Sequence, residues 1–323
     1  MKEKEISARS LKAYTKAIAV LIVIIAALVI LNIITEGKLL SVSNIKIMIS
    51  SATVPTMIAL GFTFLFACNV TDLSPGALVI LTATAAGVLG NQFGVVPMII
   101  GSILLGMGCG LLNFTIYRVT KIPPWIAGLG MTMVYEAIVG YYSSVRAAQG
   151  LKVVVLEDDK RFLGQQPGIY IMLIIGLVAA YILYNHTTLG INMRAAGCNE
   201  DVASVMGIRV SKALILGGLV SGFFFGYAGI IKESYASFVN AQSGLSSLST
   251  TFQPLAAVLL AKALSKYINR IVAIPIGTFL IVLVFNVLTL LGVPSGTFQE
   301  TLLGVIVVVF GILAQKNVKG VVK

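Results

Sequence analysis

Long apolar runs separated by short polar segments dominate this 323-residue sequence and limit the folds open to it. Ten runs approach the roughly 20 residues that an α-helix needs to cross a bilayer. They lie at 17–34, 45–66, 76–91, 95–117, 124–142, 168–186, 212–231, 252–264, 271–291 and 298–314. With 58% hydrophobic and 11% charged residues, the chain has too few polar side chains to cover a globule in water. The sequence predicts an all-α polytopic membrane protein of about ten transmembrane helices, forming one domain over 1–323.

Basic residues predict the orientation of these spans. Placing the N-terminus in the cytoplasm and alternating the spans puts 16 of the 23 lysines and arginines on the cytoplasmic side. Both termini are then cytoplasmic, including the basic segment 1–16, and the run 17–34 is read as an uncleaved first span. The same topology places 143–167 outside and 190–211 inside. We expect 143–167 to be a solvated loop, with a docking surface for an external partner as the alternative.

Two of the runs, 76–91 and 252–264, are short for a complete crossing. Each fits a half-helix, a re-entrant segment, or a span whose polar end lies outside the apolar run. Ser74 is a favourable N-cap residue and Pro75 suits the first helical position, so a helix is expected to start there. A start within the membrane would aim its N–H groups at a cavity, whereas a start at the surface would make 67–75 a plain loop.

Polar residues inside apolar stretches are the candidates for a solute pathway. An ionisable group at the bilayer centre costs roughly 2.5–3.5 kcal/mol on insertion scales, so Glu136 and Asp72 are expected to face protein or water. Asn69 and Ser74 accompany Asp72, and these four residues are the predicted pathway residues. For Glu136 the alternative is a hydrogen bond between helices. No ladder of acids and histidines supports a proton relay.

Sequence motifs for catalysis are missing. The chain has no G-x-x-x-x-G-K-[ST] phosphate loop and no H-E-x-x-H motif, and His186 is its one histidine. Its three cysteines, Cys68, Cys109 and Cys198, form no C-x-x-C pair and are read as thiols. We therefore predict no catalytic residue, no metal site and no ATP site in this chain. A membrane enzyme would need a nucleophile or metal cluster.

A short amphipathic helix is predicted within 190–211. Asn199 is a good N-cap, and Glu200 and Asp201 place negative charge in the first turn, where the helix dipole favours it. Gly207 is positioned to end the helix. One face carries the apolar positions, Val202, Val205 and Met206. This face is too small to anchor in lipid and suits a groove on a partner protein.

Glycines recur on one face of two spans. Gly106, Gly108 and Gly110 form one such group, and the stretch 217–226 carries another. Small faces allow helix backbones to approach closely in lipid. We predict close helix packing here, and a surface that slides during transport is compatible with it.

Three stretches resemble a known family. Residues 194–208, RAAGCNEDVASVMGI, resemble the R-A-x-G-x-N-x-x-A-A-x-x-x-G-I signature of permease subunits of simple-sugar ABC importers, the ribose/galactose/xylose/autoinducer-2 group. Residues 72–76 are similar to that family's G-I-D-L-S-x-G element, and 126–131 resemble its T-L-G-M stretch. One departure is that 261–270 replaces a glycine-rich G-G-x-S…G-G-x-G motif. This leaves open the solute and whether the two permeases are identical.

The resemblance implies a fold and a division of labour. Spans 2–5 and 7–10 would be inverted repeats. Two permease subunits would form the path in a bacterial inner membrane, and an extracellular or periplasmic binding protein would deliver the solute. This chain would bind no cofactor, and a separate cytoplasmic ATPase would use ATP. The expected ATPase contacts are Arg194, Gly197, Asn199, Glu200, Asp201, Ala203 and Gly207.

Alternatives to a sugar permease remain open at this point. The nearest is the same ABC machine with a nucleoside or an amino acid as its solute. Another class is a secondary transporter driven by an ion gradient. It would require essential acids in the membrane and would need no ATPase.

Overall fold

The computed structural model describes residue 26 and residues 28–315, except 152, 266, 294 and 295, and this part of the chain is helical without strands. Helix α1 covers 28–34. The other elements are α2 (Val42–Ala67), α3 (Pro75–Phe93), α4 (Val95–Thr120), α5 (Pro124–Ala148), a 3-10 helix (Asp158–Leu163), α6 (Gly168–Asn185), α7 (Thr188–Cys198), α8 (Glu200–Val205), α9 (Val210–Ala236), α10 (Leu248–Leu264), α11 (Arg270–Leu290) and α12 (Thr297–Gln315). The basic segment 1–16, most of the predicted first span and the tail 316–323 lie outside the described residues.

Six of these helices, α2, α3, α4, α6, α9 and α11, are long and apolar enough to cross a membrane. This confirms the predicted class, a helical multi-pass protein, while the total of ten spans stays a prediction. Helix α5 continues six residues past the predicted 142, and α10 begins at Leu248 rather than 252. The apolar run had therefore omitted the polar first turn of α10.

Helices α2 and α9 form the centre of the bundle. In each of these two helices, 78% of the most apolar 18-residue stretch is buried inside the protein, whereas the corresponding share is 28% in α4 and in α6. Helix α4 approaches α9 through glycine: a Cβ on Gly106 would lie 2.7 Å from the backbone nitrogen of Gly226. The predicted close packing is confirmed for Gly106 and Gly110, whereas the expectation for Gly108 was wrong: a Cβ there would meet nothing within 4 Å, because residues two apart lie on opposite sides of a helix.

Polar pairs connect α2 to α11 within the bundle. The side-chain amides of Asn44 and Asn286 exchange two hydrogen bonds of 2.8 and 3.0 Å. The hydroxyls of Thr56 and Thr278 lie 2.7 Å apart. Because each polar group has its partner on the neighbouring helix, these residues add specific helix–helix contacts in an apolar setting.

Helices α3 and α10 meet at their N-termini. The backbone N–H of Gly76 donates to Thr251 Oγ1 at 3.0 Å. At its far end α3 reaches the 143–167 segment, where Asn91 donates to the carbonyl of Val155. Beyond the far end of α10, Asn269 exchanges amide hydrogen bonds with Asn185 at the end of α6. The two helices thus lead from a shared meeting point toward different ends of the bundle.

The predicted external segment 143–167 is partly folded, which corrects the expectation of a solvated loop. Helix α5 continues into it, and the 3-10 helix follows. Leu156 is 1% exposed, and its N–H donates to the carbonyl of Ser237 at 2.8 Å. Arg161 donates hydrogen bonds to the backbone carbonyls of Ser234 and Tyr235 in the last turn of α9. Carbonyls in the last turn of a helix receive no hydrogen bond from within the helix, so Arg161 supplies the missing donor. The segment therefore covers the ends of α3 and α9.

Candidate functional site

Asp72 lies in a buried polar network between α2 and α3. The residue is 2% exposed. Asp72 Oδ1 accepts the backbone N–H of Ser74 at 2.8 Å, and Oδ2 accepts the Ser74 hydroxyl at 3.0 Å. Asn113 of α4 donates to Asp72 Oδ2 at 3.1 Å and to Ser74 Oγ at 2.8 Å. The hydroxyl of Tyr135 on α5 donates to Asn113 Oδ1 at 2.7 Å. The network fixes the start of α3 to α4 and α5.

Ser74 does not cap α3 as predicted. It occupies the N-cap position, but its hydroxyl makes no capping bond because Asp72 and Asn113 already engage it. The predicted start of the helix and Pro75 in the first turn are confirmed. The carboxylate of Asp72 instead turns back to the Ser74 N–H, which closes the turn before the helix.

Glu136 holds a second loop in place. It lies halfway along α5 and is 5% exposed. Its two carboxylate oxygens accept the backbone N–H groups of Leu245 and Ser247, each at 2.9 Å. Both donors immediately precede α10. Glu136 thus bonds to a loop and not, as the alternative expected, to a neighbouring helix, and its place in a solute pathway stays a prediction.

Asn69 is exposed and lines a cleft on the side of the bundle predicted to be cytoplasmic. The cleft has a volume of about 600 Å³. Its walls are the end of α2, the end of α4 and the junction of α7 with α8. Asp72 and Ser74 do not line it. The four predicted pathway residues are thus divided among three environments: an open cleft for Asn69, the Asp72–Ser74 network, and the anchor at Glu136.

The predicted cytoplasmic helix forms as α8. Asn199 Oδ1 accepts the N–H of Val202 at 3.0 Å, and the helix ends before Gly207, whose φ of 84° favours glycine. Exposure along its apolar face is high, at 54% for Val202, 89% for Val205 and 73% for Met206. Among the residues that the structure describes, none covers that face.

The other predicted coupling residues hold α7 and α8 against the bundle. Residues 188–198 form a helix rather than a loop, and Arg194 in it donates to the carbonyl of Tyr184 at 2.8 Å. Ala203 is buried, and Asp201 is exposed. Glu200 accepts from Arg118 of α4 at 3.0 Å. Gly197 packs on the backbone of α2 at its end, leaving no room for a Cβ.

Several residues in these sites were not singled out from the sequence. Tyr135 and Thr251 look like ordinary span residues, and only their contacts reveal their roles. Glu233 is 1% exposed, and both of its carboxylate oxygens lie without a hydrogen-bond partner. The predicted span 212–231 ended before Glu233, so it was assigned to a loop, although α9 extends past it. Among the described residues no cluster of His, Cys, Asp or Glu could hold a metal ion.

These features define a class of protein. The described residues form six membrane-length apolar helices, with polar networks within the bundle and one short helix, α8, whose apolar face is exposed. This is the architecture of a multi-pass membrane protein. The network residues are anchored by hydrogen bonds, and they form no nucleophile–base arrangement of the kind that covalent catalysis needs.

The chain belongs to the family described as branched-chain amino acid transport system / permease component, which matches residues 44–311. It is 26% identical over 306 residues to the ribose import permease protein of Escherichia coli (strain K12), covering 91% of this chain and 92% of that protein. It is 25% identical over 263 residues to the autoinducer 2 import system permease protein of Salmonella paratyphi B, covering 80% of this chain and 75% of that protein.

A third relative is the fructose import permease protein of Rhizobium meliloti, which is 25% identical over 244 residues, covering 69% of this chain and 67% of that protein. No solved structure shows a significant match. The chain is therefore a transport permease component, and the resemblance seen in its motifs is confirmed.

Proposed function

We propose that this chain is the transmembrane subunit of an ATP-driven ABC importer that moves a small sugar or related polar solute inward. The observation that carries the proposal is the apolar face of α8, which projects from the bundle beside Asn199 and Glu200. Val202, Val205 and Met206 share this face and are 54%, 89% and 73% exposed, and a contiguous apolar patch of this kind indicates a partner surface. The curated relatives named above import ribose, fructose and autoinducer 2.

The proposal includes an assembly. A cytoplasmic ATPase grips α8, a second permease subunit completes the path, and an extracellular or periplasmic binding protein delivers the solute. The chain binds no cofactor, and the ATPase uses ATP. The assembly lies in a bacterial inner membrane, with ten spans, both termini cytoplasmic, and spans 2–5 and 7–10 as inverted repeats. The contact between the N-termini of α3 and α10 supports such a repeat, since each helix is the second of its set of four.

A permease for amino acids or nucleosides is the second candidate. The description of the matching family names branched-chain amino acids. This description favours an ABC permease for amino acids over a transporter of another class. An ion-coupled transporter has less support, because both oxygens of Glu136 are occupied by backbone donors.

The test uses a matched pair of substitutions on α8. Val205→Lys places a charge in the apolar face, whereas Ser204→Lys places the same charge on an exposed residue of the opposite face. The tagged chain is purified in mild detergent from its native membrane, and the ATPase that accompanies it is quantified. We expect Val205→Lys to reduce ATPase recovery at least about tenfold, equivalent to about 1.4 kcal/mol of binding free energy, with Ser204→Lys close to the unmodified chain.

Two outcomes would contradict this proposal. One is that no ATPase accompanies the unmodified chain under conditions that preserve a known ABC complex. The other is equal recovery with both lysine variants, which would remove α8 as the contact. Size-exclusion chromatography of each variant establishes that it is folded before the comparison is made.

A further inference from the structure

A hydroxyl-rich segment lies between α9 and α10. Residues 242–250 have the sequence QSGLSSLST, and we refer to them as the serine segment. Ser243, Ser246 and Ser249 in it are exposed. None of its nine residues is charged. The segment contains the last residues before α10 and the first turn of that helix.

Two independent contacts fix the depth of the serine segment. Glu136 binds the N–H groups of Leu245 and Ser247, and it lies at the middle of α5, about 18 Å from either end of that helix at 1.5 Å per residue. One turn further along, Thr251 binds the first turn of α3. That turn is held by Asn113, which lies two turns, or about 10 Å, before the end of α4. Both contacts place the segment within the thickness of the bundle.

A polar segment at this depth cannot face hydrocarbon. Irregular backbone within a membrane is tolerated only where protein buries it or where it lines a water-filled cavity. The chain's own helices leave Ser243, Ser246 and Ser249 exposed. The hydroxyl of Ser249 donates to the carbonyl of Ser246 at 2.8 Å, but its lone pairs and the exposed backbone still need polar surroundings. Water, a polar solute or a second protein chain must therefore cover this surface, and the experiment below distinguishes them.

We propose that the serine segment lines the solute path and that its hydroxyls bind the hydroxyl groups of a neutral solute. This inference rests on the proposed function and narrows its solute class. An amino acid carries an ammonium and a carboxylate, and buried charges of this kind require charged or strongly polar partners. The segment carries no charged side chain, and each of its serine hydroxyls can donate one hydrogen bond and accept others. Neutral donors and acceptors match a polyhydroxylated molecule.

The test measures the access of water to the segment. Ser246→Cys and Ser249→Cys are prepared separately and treated, in native membranes, with a small cationic methanethiosulfonate reagent. Ile174→Cys on α6 is the matched control, since Ile174 is 60% exposed on an apolar helix. Modification is followed by mass spectrometry of each cysteine-containing peptide. Native Cys198, which is exposed beside α8, serves as the internal standard for a water-accessible thiol.

We expect the cysteines at 246 and 249 to react at least about tenfold faster than the cysteine at 174, because the reagent attacks the thiolate, which does not form in hydrocarbon. Rates no faster than that of the control would overturn the proposed path. This result would not affect the ATPase recovery experiment, so the two proposals can fail separately.

The solute class is tested on the same variants. We expect at least one of ribose, fructose, xylose and galactose to slow the modification of the cysteine at 246 or 249 by at least about twofold. Occupancy of half of the solute sites would produce a twofold reduction. Protection by leucine instead, or by none of the four sugars, would overturn the neutral solute class. The accessibility result would stand in either case.

Discussion

The carboxylates of Asp72 and Glu136 lie among apolar helices, and both are occupied by backbone N–H groups of a loop. Asp72 accepts from Ser74 and also from Asn113 across the bundle. Glu136 accepts from Leu245 and Ser247. A carboxylate suits this role because its two oxygens accept several hydrogen bonds and offer no donor that would compete. Each acid therefore acts as an anchor for the loop that precedes a helix.

A prediction at this scale concerns Asp72. Asp72→Ala leaves the Ser74 N–H and the Asn113 amide without their acceptor in a buried site, and each such group costs about 1–3 kcal/mol. Asp72→Asn keeps one carbonyl oxygen for the Ser74 N–H. We expect the alanine variant to lower the melting temperature in detergent clearly more than the asparagine variant, as measured by fluorescence-detected size-exclusion chromatography. Equal melting temperatures for Asp72→Ala and the unmodified chain would contradict the anchoring role.

At the scale of elements, α4 and α9 depend on glycine for their approach. The backbones meet where Gly106 faces Gly222 and Gly226. In lipid, such close contacts are a main source of helix association, since apolar side chains gain little from leaving an apolar solvent. The pairing also sets the position of α9, which carries the loop leading to the serine segment.

The glycine contact gives a prediction with an internal control. Gly106→Val must displace the backbone of α9, and overpacking of this kind costs about 1–3 kcal/mol or more. Gly108→Val, on the same helix, meets nothing within 4 Å. We expect Gly106→Val to reduce the yield of monodisperse protein strongly, with Gly108→Val near the unmodified level. If both valine variants behave alike, the close approach of α4 and α9 is not required for folding.

At the scale of the whole molecule, the N-termini of α3 and α10 meet inside the bundle, and helix α8 lies at its surface. The contact of Gly76 with Thr251 joins residues 175 positions apart in the chain. The ion pair of Arg118 with Glu200 links α4 to α8. Helix α4 therefore contacts both the Asp72 network, through Asn113, and the proposed ATPase contact.

Transport by the whole assembly gives a test of the role of Glu136. If Glu136 anchors α10, Glu136→Gln retains one acceptor and a substantial part of solute uptake, whereas Glu136→Ala loses uptake. An ion-coupled carrier would instead require an ionisable group, so both variants would be inactive. Uptake of a labelled sugar that the unmodified assembly transports measures the difference, in cells that also express the ATPase and the binding protein, with the amount of membrane-inserted protein determined for each variant. Complete loss in the glutamine variant would contradict the anchor.

The sequence by itself determined the elements whose signals are local. Apolar runs predicted the membrane helices, the Asn199 cap and Gly207 predicted α8, and glycine spacing predicted the close face of α4. These signals depend on hydration, capping and side-chain size within a few turns. Residues 194–208 also carried the family resemblance, because that signature is one continuous stretch of chain.

Only the tertiary structure decided how the intramembrane polar residues are used. Asp72 and Asn113 are 41 positions apart, and Glu136 and Ser247 are 111 apart. A polar residue within an apolar run indicates that it has a hydrogen-bond partner in the protein, since hydrocarbon offers no such partner. Which residue is the partner depends on which helices become neighbours. For the same reason the sequence left open the position of the serine segment, which precedes the short run 252–264. Its depth follows from the bond to Glu136, which no local pattern contains.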